Sequence, residues 1–394
     1  MNNGIELDAS DFEEDRYSRL KLIPWWDQQR LLNATVMVVG AGAIGNELIK
    51  NLALLGVGKI LIFDMDTIEN TNLTRAVLYR VQDVGKYKAD VAAERAAEIN
   101  SDVKAKGFVS NIIYDVGLGV FRRMDVVLGG LDNREARLAI NQSCYKVNRP
   151  WIDGAIEGLN GFARVFVPGR GACYECTMTE TDWRLINKRK SCALLTREQM
   201  QEGKIPTTPT SSSVIAGIQV QEMLKLLHSD RDLPALIGKG YVFNGLTHDS
   251  YVVEYQVKPD CMSHNLYDEI IEKPWSVHDQ TLKAIINEIK TDMGENSILE
   301  LDREIATYAK CSCGKERELF IPVHKLKRDM IQCPKCGKIM SFDTMHSIVG
   351  TEEYLDKTAE EIGIPPLHII AGRIGMEMRY YEFTNDQKEI FEGL

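Results

Sequence analysis

The hexapeptide GAGAIG at residues 40–45 constrains this chain more than any other feature. It stands between an apolar run, TVMVV at 35–39, and a segment carrying Ile44, Leu48 and Leu55 at helical spacing. Gly40, Gly42 and Gly45 permit a tight turn and let N–H groups at a helix N-terminus approach a phosphate. The stretches that follow keep the rhythm: KILIFD at 59–64, an alanine-rich helix from Lys86, DVVLGGLDN from Asp125, REARLAINQSCYKV, then the strands RPWIDGAI and FARVFVPG. Strand and helix in alternation predict a Rossmann-like α/β domain with a parallel or mixed sheet. Residues 8–32 also look helical, with Trp25 and Trp26 on an amphipathic stretch.

In open α/β sheets ligands bind beyond the carboxyl ends of the strands. Asp64 ends the second strand, about where a ribose-binding acid belongs. Past it runs DMDTIENTNLTR, with Asn72 and Arg75; Lys88 opens the alanine-rich helix, and Asp132 follows a further strand. Two cations and an acid at such a place suit a triphosphate and its Mg²⁺, because nucleotidyl transfer needs positive charge where phosphate charge builds up. An NAD oxidoreductase has no use for that set.

The chain holds nine cysteines. Cys173 and Cys176 form a C-x-x-C pair, and Cys261 with His264 a C-x-x-H pair that offers the remaining ligands of a tetrahedral Zn²⁺ site. Cys311, Cys313, Cys333 and Cys336 make a second set, resembling a zinc ribbon. Both look closed and structural. Cys144 sits among apolar residues and reads as core. Cys192 follows Lys188-Arg189-Lys190, cations that favour the nucleophilic thiolate, in a long polar stretch at 177–210. A stretch of that length within a compact domain is usually functional.

Taken in order, GAGAIG, DMDTIENTNLTR, GKYKAD and GGLDNREAR closely resemble the ThiF/MoeB/E1 adenylation fold, from about Arg16 to His264. The resemblance implies ATP as substrate, with Asp64 on the ribose, Asn72, Arg75 and Lys88 on the phosphates, and Asp132 on magnesium. RYSR at 16–19 resembles the family's R-Y-x-R, whose second arginine, Arg19 here, reaches across a dimer into the partner's site; a homodimer is implied. The run from Asn148 to Cys176 resembles catalytic subunits of SUMO-activating and related E1 enzymes, and Cys192 matches the placement of their catalytic cysteine. Ala193 departs from their cysteine–threonine pair, and His264 from their second C-x-x-C.

The length of 394 residues predicts two or three domains, and a change of character near 265 divides 1–264 from 265–394. The second part is expected to be a smaller zinc-containing α+β domain, loosely similar to a β-grasp module that recruits an E2. A net charge of −10 argues against general nucleic-acid or membrane binding. No apolar run nears the roughly 18–20 residues that span a bilayer, and the acidic N-terminus lacks a signal-peptide core, so a cytoplasmic location is expected. The expected function is ATP-dependent adenylation of a ubiquitin-like protein, thioester formation on Cys192 and transfer to an E2. The alternatives are a sulfur-carrier adenylyltransferase and a non-catalytic E1-like scaffold.

Overall fold

The computed structural model describes residues 14–191 and 206–394. The chain forms, in order, α1 (Gln28–Asn33), β1 (Thr35–Val39), α2 (Ala43–Leu55), β2 (Lys59–Phe63), α3 (Lys88–Ile99), β3 (Lys104–Phe108), α4 (Leu118–Arg122), β4 (Val126–Gly129), α5 (Arg134–Lys146) and β5 (Trp151–Glu157). Then come β6 (Asn160–Phe166), α6 (Tyr174–Thr177), α7 (Glu180–Ser191), α8 (Pro209–Leu227), β7 (Lys239–Asn244) and β8 (Asp249–Glu254). Strands β1 to β8 build one sheet in the order β3-β2-β1-β4-β5-β6-β7-β8. The first five run parallel; β6, β7 and β8 add on antiparallel. This is the mixed, parallel-rich α/β sheet that the alternating pattern predicts.

Period-2 alternation decides what each face packs against. Val36 and Val38 of β1, with Ile60 and Ile62 of β2, face α2, α3 and α8. Met37, Val39, Leu61 and Phe63 point the other way, onto α4 and α5. Every one of these side chains is buried, which is why the strands read as continuous apolar runs. Helix α2 stops at Gly56, whose φ of 74° is the left-handed C-terminal cap.

The chain before α1 differs from the helical expectation. From residue 14 to Asp27 it holds only a single 3-10 turn at Leu20–Leu22, and Asp27 then caps α1 by accepting from the Gln29 N–H. Pro24 lies between them and cannot continue a helix that precedes it. Within the polar 177–210 stretch, α7 is likewise helical rather than loop; Thr179 and Asp182 form its N-terminal box, with Thr179 N–H donating to Asp182 at 2.8 Å.

The remaining elements are β9 (Ile270–Lys273), α9 (Leu282–Met293), β10 (Ile298–Lys310), β11 (Glu316–Pro322), β12 (Ser341–Ile348), β13 (Ile369–Ile374), β14 (Glu377–Phe383) and α10 (Gln387–Phe391). They form a second sheet, β11-β10-β13-β14-β9, with β12 paired to β10. The last strand, β14, runs parallel to the first, β9, and α9 buries Leu282, Ile285, Ile286 and Ile289 across the sheet. Strand β10 serves three partners: Ile298–Glu300 pairs with β13, Ile305–Lys310 pairs with β11, and β12 pairs with β10 from Leu299 to Lys310; β11 and β12 lead to the cysteine module.

The two sheets share a core. Leu367 and Ile369 enter the cluster built by α4 and α5. Glu382 on β14 is fully buried and receives Arg122 and Arg123 from the end of α4. Among the described residues no helix is long and apolar enough to cross a membrane.

Candidate active site

The strand order reverses between β2 and β4, on either side of β1, and the glycine turn sits there. This is the switch point where open α/β sheets bind ligands. Gly40 has φ +88°, and a Cβ on it would lie 2.6 Å from the Gly130 carbonyl oxygen. A Cβ on Gly45 would lie 1.9 Å from the Gly40 carbonyl oxygen. Both glycines are therefore required by packing alone. Gly42 is different: a Cβ there would meet nothing within 4 Å, so the space in front of the first turn of α2 is open. That open cradle, with N–H groups facing it, fits a phosphate.

The turn is held from behind by residues that motif reading missed. Asn46 Nδ2 donates to the carbonyls of Ala41 (2.7 Å) and Gly42 (3.0 Å), and its Oδ1 accepts from the Leu78 N–H (2.9 Å). The Tyr79 hydroxyl donates to the Ala41 carbonyl at 2.6 Å; burial pushes this phenol far above its ordinary value and keeps it a donor. Nothing in the spacing of Asn46 and Tyr79 marks them; only their positions in the fold do.

Asp64, just past β2, accepts from the Ala41 N–H on one oxygen (2.7 Å) and from the Asp66 N–H on the other (2.8 Å). Burial raises its pKa, and the charge of Lys88 opposes that rise. Lys88, at the start of α3, pairs with Asp66 at 2.9 Å. Arg75 donates to the Thr71 carbonyl at 2.6 Å, and Asn72 Oδ1 accepts from the Glu69 N–H at 2.9 Å, which fixes the segment that carries both. Asp132 is exposed just beyond β4, its carboxylate 3.5 Å from Asn133 Nδ2. Gly40, Asp64 and Asp132 thus follow three adjacent parallel strands, β1, β2 and β4, at their carboxyl ends. Arg19 is exposed at the head of the 3-10 turn. Cys192 lies outside the described residues; α7 ends at Ser191, directly before it. Cys144 is buried in α5, and burial holds its thiol well above the ordinary value.

Below Asp132 lies a buried ion network that the sequence does not announce. Asp153 on β5 is fully buried; Arg137 Nε donates to it at 2.8 Å and Arg164 Nη2 at 2.5 Å. The second arm of Arg137 reaches the Leu131 carbonyl at 2.6 Å.

The cysteines converge as their spacing suggests. The ligand atoms of Cys173, Cys176, Cys261 and His264 lie within 4.8 Å of one another, as do those of Cys311, Cys313, Cys333 and Cys336. Zn–S bonds of about 2.3 Å in a tetrahedron put sulfurs about 3.8 Å apart. Here Cys173 and Cys176 are separated by 3.7 Å, Cys173 and Cys261 by 3.5 Å, Cys311 and Cys336 by 3.4 Å, Cys313 and Cys333 by 3.6 Å. Both sets fit such an ion. His264 stacks on Tyr145 with ring centroids 4.9 Å apart, which orients the imidazole. Asn141 supports the first set: its Oδ1 accepts from the Tyr174 N–H at 2.9 Å, and its buried Nδ2, lacking a partner among the described residues, lies against Cys173.

Comparison with known proteins agrees with this geometry. A family model described as ThiF family matches residues 14–263. A ubiquitin-like modifier-activating enzyme 5 of Arabidopsis thaliana is 29% identical over 278 residues, covering 65% of this chain and 62% of that protein. A SAMP-activating enzyme E1 of Haloferax volcanii is 31% identical over 266 residues, covering 65% of this chain and 90% of that one. The crystal structure of E. coli MccB with ATP superposes with a TM-score of 0.54 at 26% identity, over 65% of this chain and 75% of that one. With well over half of its length matched by the family model, the chain belongs to the ThiF family.

Proposed function

We propose that the chain is an E1-type activating enzyme. It uses ATP to adenylate the C-terminal carboxylate of a ubiquitin-like protein, and then takes that protein as a thioester on Cys192. The observation that carries the reading is the open cradle at Gly42 with Asp64 and Lys88 beside it. The similarity to the Arabidopsis modifier-activating enzyme and the Haloferax SAMP-activating enzyme supports the same reading.

The carboxylate oxygen attacks the α-phosphorus of ATP, and pyrophosphate leaves. Backbone N–H groups of α2 and the side chains of Lys88, Arg75 and Asn72 hold the phosphates, while Asp64 holds the ribose. Asp132 is the residue to hold Mg²⁺, which would shield phosphate charge. The thiolate of Cys192 then attacks the acyl carbon, a C–S bond forms and AMP departs. Zinc at the two cysteine sets would have a structural role, since the chain itself offers four ligands to each. We further assign residues 1–264 as the adenylating unit and 265–394 as an E2-recruiting unit, in a homodimer that shares Arg19 between subunits.

The test is the intact mass of the protein after mixing with MgATP and a ubiquitin-like protein ending in glycine, without reductant. A thiol-labile adduct that Cys192→Ala lacks, while acyl-adenylate still forms, is the expected result. The ThiF family match equally suits a sulfur-carrier adenylyltransferase. Acyl-adenylate with no thioester in the wild type would favour that reading, and no ATP consumption with any carrier would leave an E1-like scaffold.

A further inference from the structure

We propose that Arg137 is the positioning residue of the magnesium-binding loop, holding Asp132 in place through the Leu131 carbonyl and the buried carboxylate of Asp153. The inference rests on the assignment of the nucleotide site above. Arg137 sits one turn into α5, and its guanidinium is almost wholly enclosed. Its Nε donates to Asp153 at 2.8 Å, and its Nη2 donates to the carbonyls of Leu131 (2.6 Å) and Gly154 (3.2 Å). Nε and Nη2 thus each have fixed acceptors in different directions, an arrangement that a lysine cannot reproduce.

Leu131 is the residue between two functional positions. On one side is Gly130, whose carbonyl closes the space beside Gly40. On the other is Asp132. The next residue, Asn133, is pinned as well, because its side chain accepts from the Ala136 N–H at 2.8 Å and caps α5. The backbone is therefore clamped on both sides of Asp132. The Asp132 carboxylate itself stays exposed, and no cation pairs with it among the described residues. A carboxylate held on a fixed backbone, exposed and contacted only by Asn133 Nδ2 at 3.5 Å among the described residues, is suited to a cation that arrives with the nucleotide.

A purely structural ion pair would not need the second arm. Asp153 is already neutralised by Arg164, which approaches from β6 with Nη2 at 2.5 Å and Nε at 3.2 Å. Two guanidiniums on one buried carboxylate exceed what charge balance requires. The arm to Leu131 accounts for the second.

The test measures ATP binding to the full-length protein by calorimetry across a Mg²⁺ titration. Arg137→Lys should raise the Mg²⁺ concentration for half-maximal binding by about 10–100-fold, the usual effect of losing a partner that orients a metal ligand. In an Asp132→Asn background the same change should add nothing further, since both act through one carboxylate. Arg164→Lys, which touches Asp153 but not the loop, should keep the wild-type Mg²⁺ dependence. Arg137→Gln gives a second reading if Arg137→Lys folds poorly, with zinc content and melting temperature as the check on folding. An unchanged Mg²⁺ requirement in the Arg137 variants, or full additivity with Asp132→Asn, would overturn the positioning role alone. A wild type that fails to bind ATP would overturn the nucleotide assignment and this role with it; ATP binding with no Mg²⁺ dependence would overturn the magnesium role of Asp132 and this role while leaving the nucleotide site.

Discussion

Asp64 accepts the backbone N–H of Ala41 at 2.7 Å and so fastens the glycine turn to the end of β2. Burial holds its carboxyl above the ordinary range, with Lys88 opposing. For an acid the sign is then clear: the ionised form costs stability at neutral pH, and that cost fades as pH falls through the raised folded value. Asp64→Asn removes the cost and keeps one acceptor for Ala41. We expect a melting temperature equal to or above wild type, and ATP binding weaker by about tenfold, or ~1.4 kcal/mol. Calorimetry and thermal melts measure both. Lost stability with unaltered ATP binding would remove Asp64 from the site.

Lys88 and Arg19 test catalysis and assembly together. Lys88→Ala should lower the rate of adenylate formation by about 10²–10³, because it withdraws charge from where phosphate charge develops. Arg19→Ala should be similarly impaired if that arginine serves the neighbouring subunit. Mixing the two variants should then restore about a quarter of wild-type activity, since half the dimers are mixed and one site of each is intact. ATP–pyrophosphate exchange reads this directly, and no recovery on mixing would argue that Arg19 acts within its own chain.

The two cysteine sets should each bind one Zn²⁺. Native mass spectrometry should find two equivalents in the wild type and one in either Cys173→Ser or Cys333→Ser. Cys333→Ser should destabilise the module carried by β10 to β12 while sparing ATP binding. Wild-type protein carrying no zinc would refute the metal assignment.

His278 bridges Glu360 and Glu389, each at 3.0 Å, and ties the turn before α9 to α10. Hydrogen bonds to Glu389 and then Glu360 raise its pKa to about 9. A raised histidine stabilises the fold fully below its unfolded value of about 6.5, and loses that contribution as pH rises through about 9. The melting temperature of the wild type should therefore fall across that window by more than that of His278→Gln. Parallel curves for the two proteins would show that the bridge carries no stability, as exposed pairs often do.

Much of the site was legible from residue order. The glycine turn is local: strand, tight turn and helix start fall within a dozen residues, and the φ of Gly40 follows from that geometry. The cysteine sets were legible for the same reason, because C-x-x-C spacing is a property of one turn. Other features were not. Asp153 reads as one more residue of an apolar strand, and Arg137 and Arg164 as ordinary surface cations. Glu382 reads as a polar position in a tail strand, yet it is buried against α4. Helix α7 was hidden in a polar stretch: Thr179 and Asp182 box its start, and only the fold shows that Ile186 is buried with Trp183 packed against the same cluster.

The sequence by itself determined the alternating α/β order, the glycine turn and the separate C-x-x-C pairs, because each depends on near neighbours in the chain; bringing Cys261 and His264 to Cys173 and Cys176, 88 residues away, took the fold. Tertiary structure decided which distant residues stand behind them. The reversal of strand order at β1 brings the loop after β4 beside the glycine turn, and β5 beneath it. Only then do Arg137, Leu131 and Asp153 meet. A buried charge needs its partners in place before it can be tolerated, and those partners come from separate strands and a helix that the fold, not the local sequence, puts side by side.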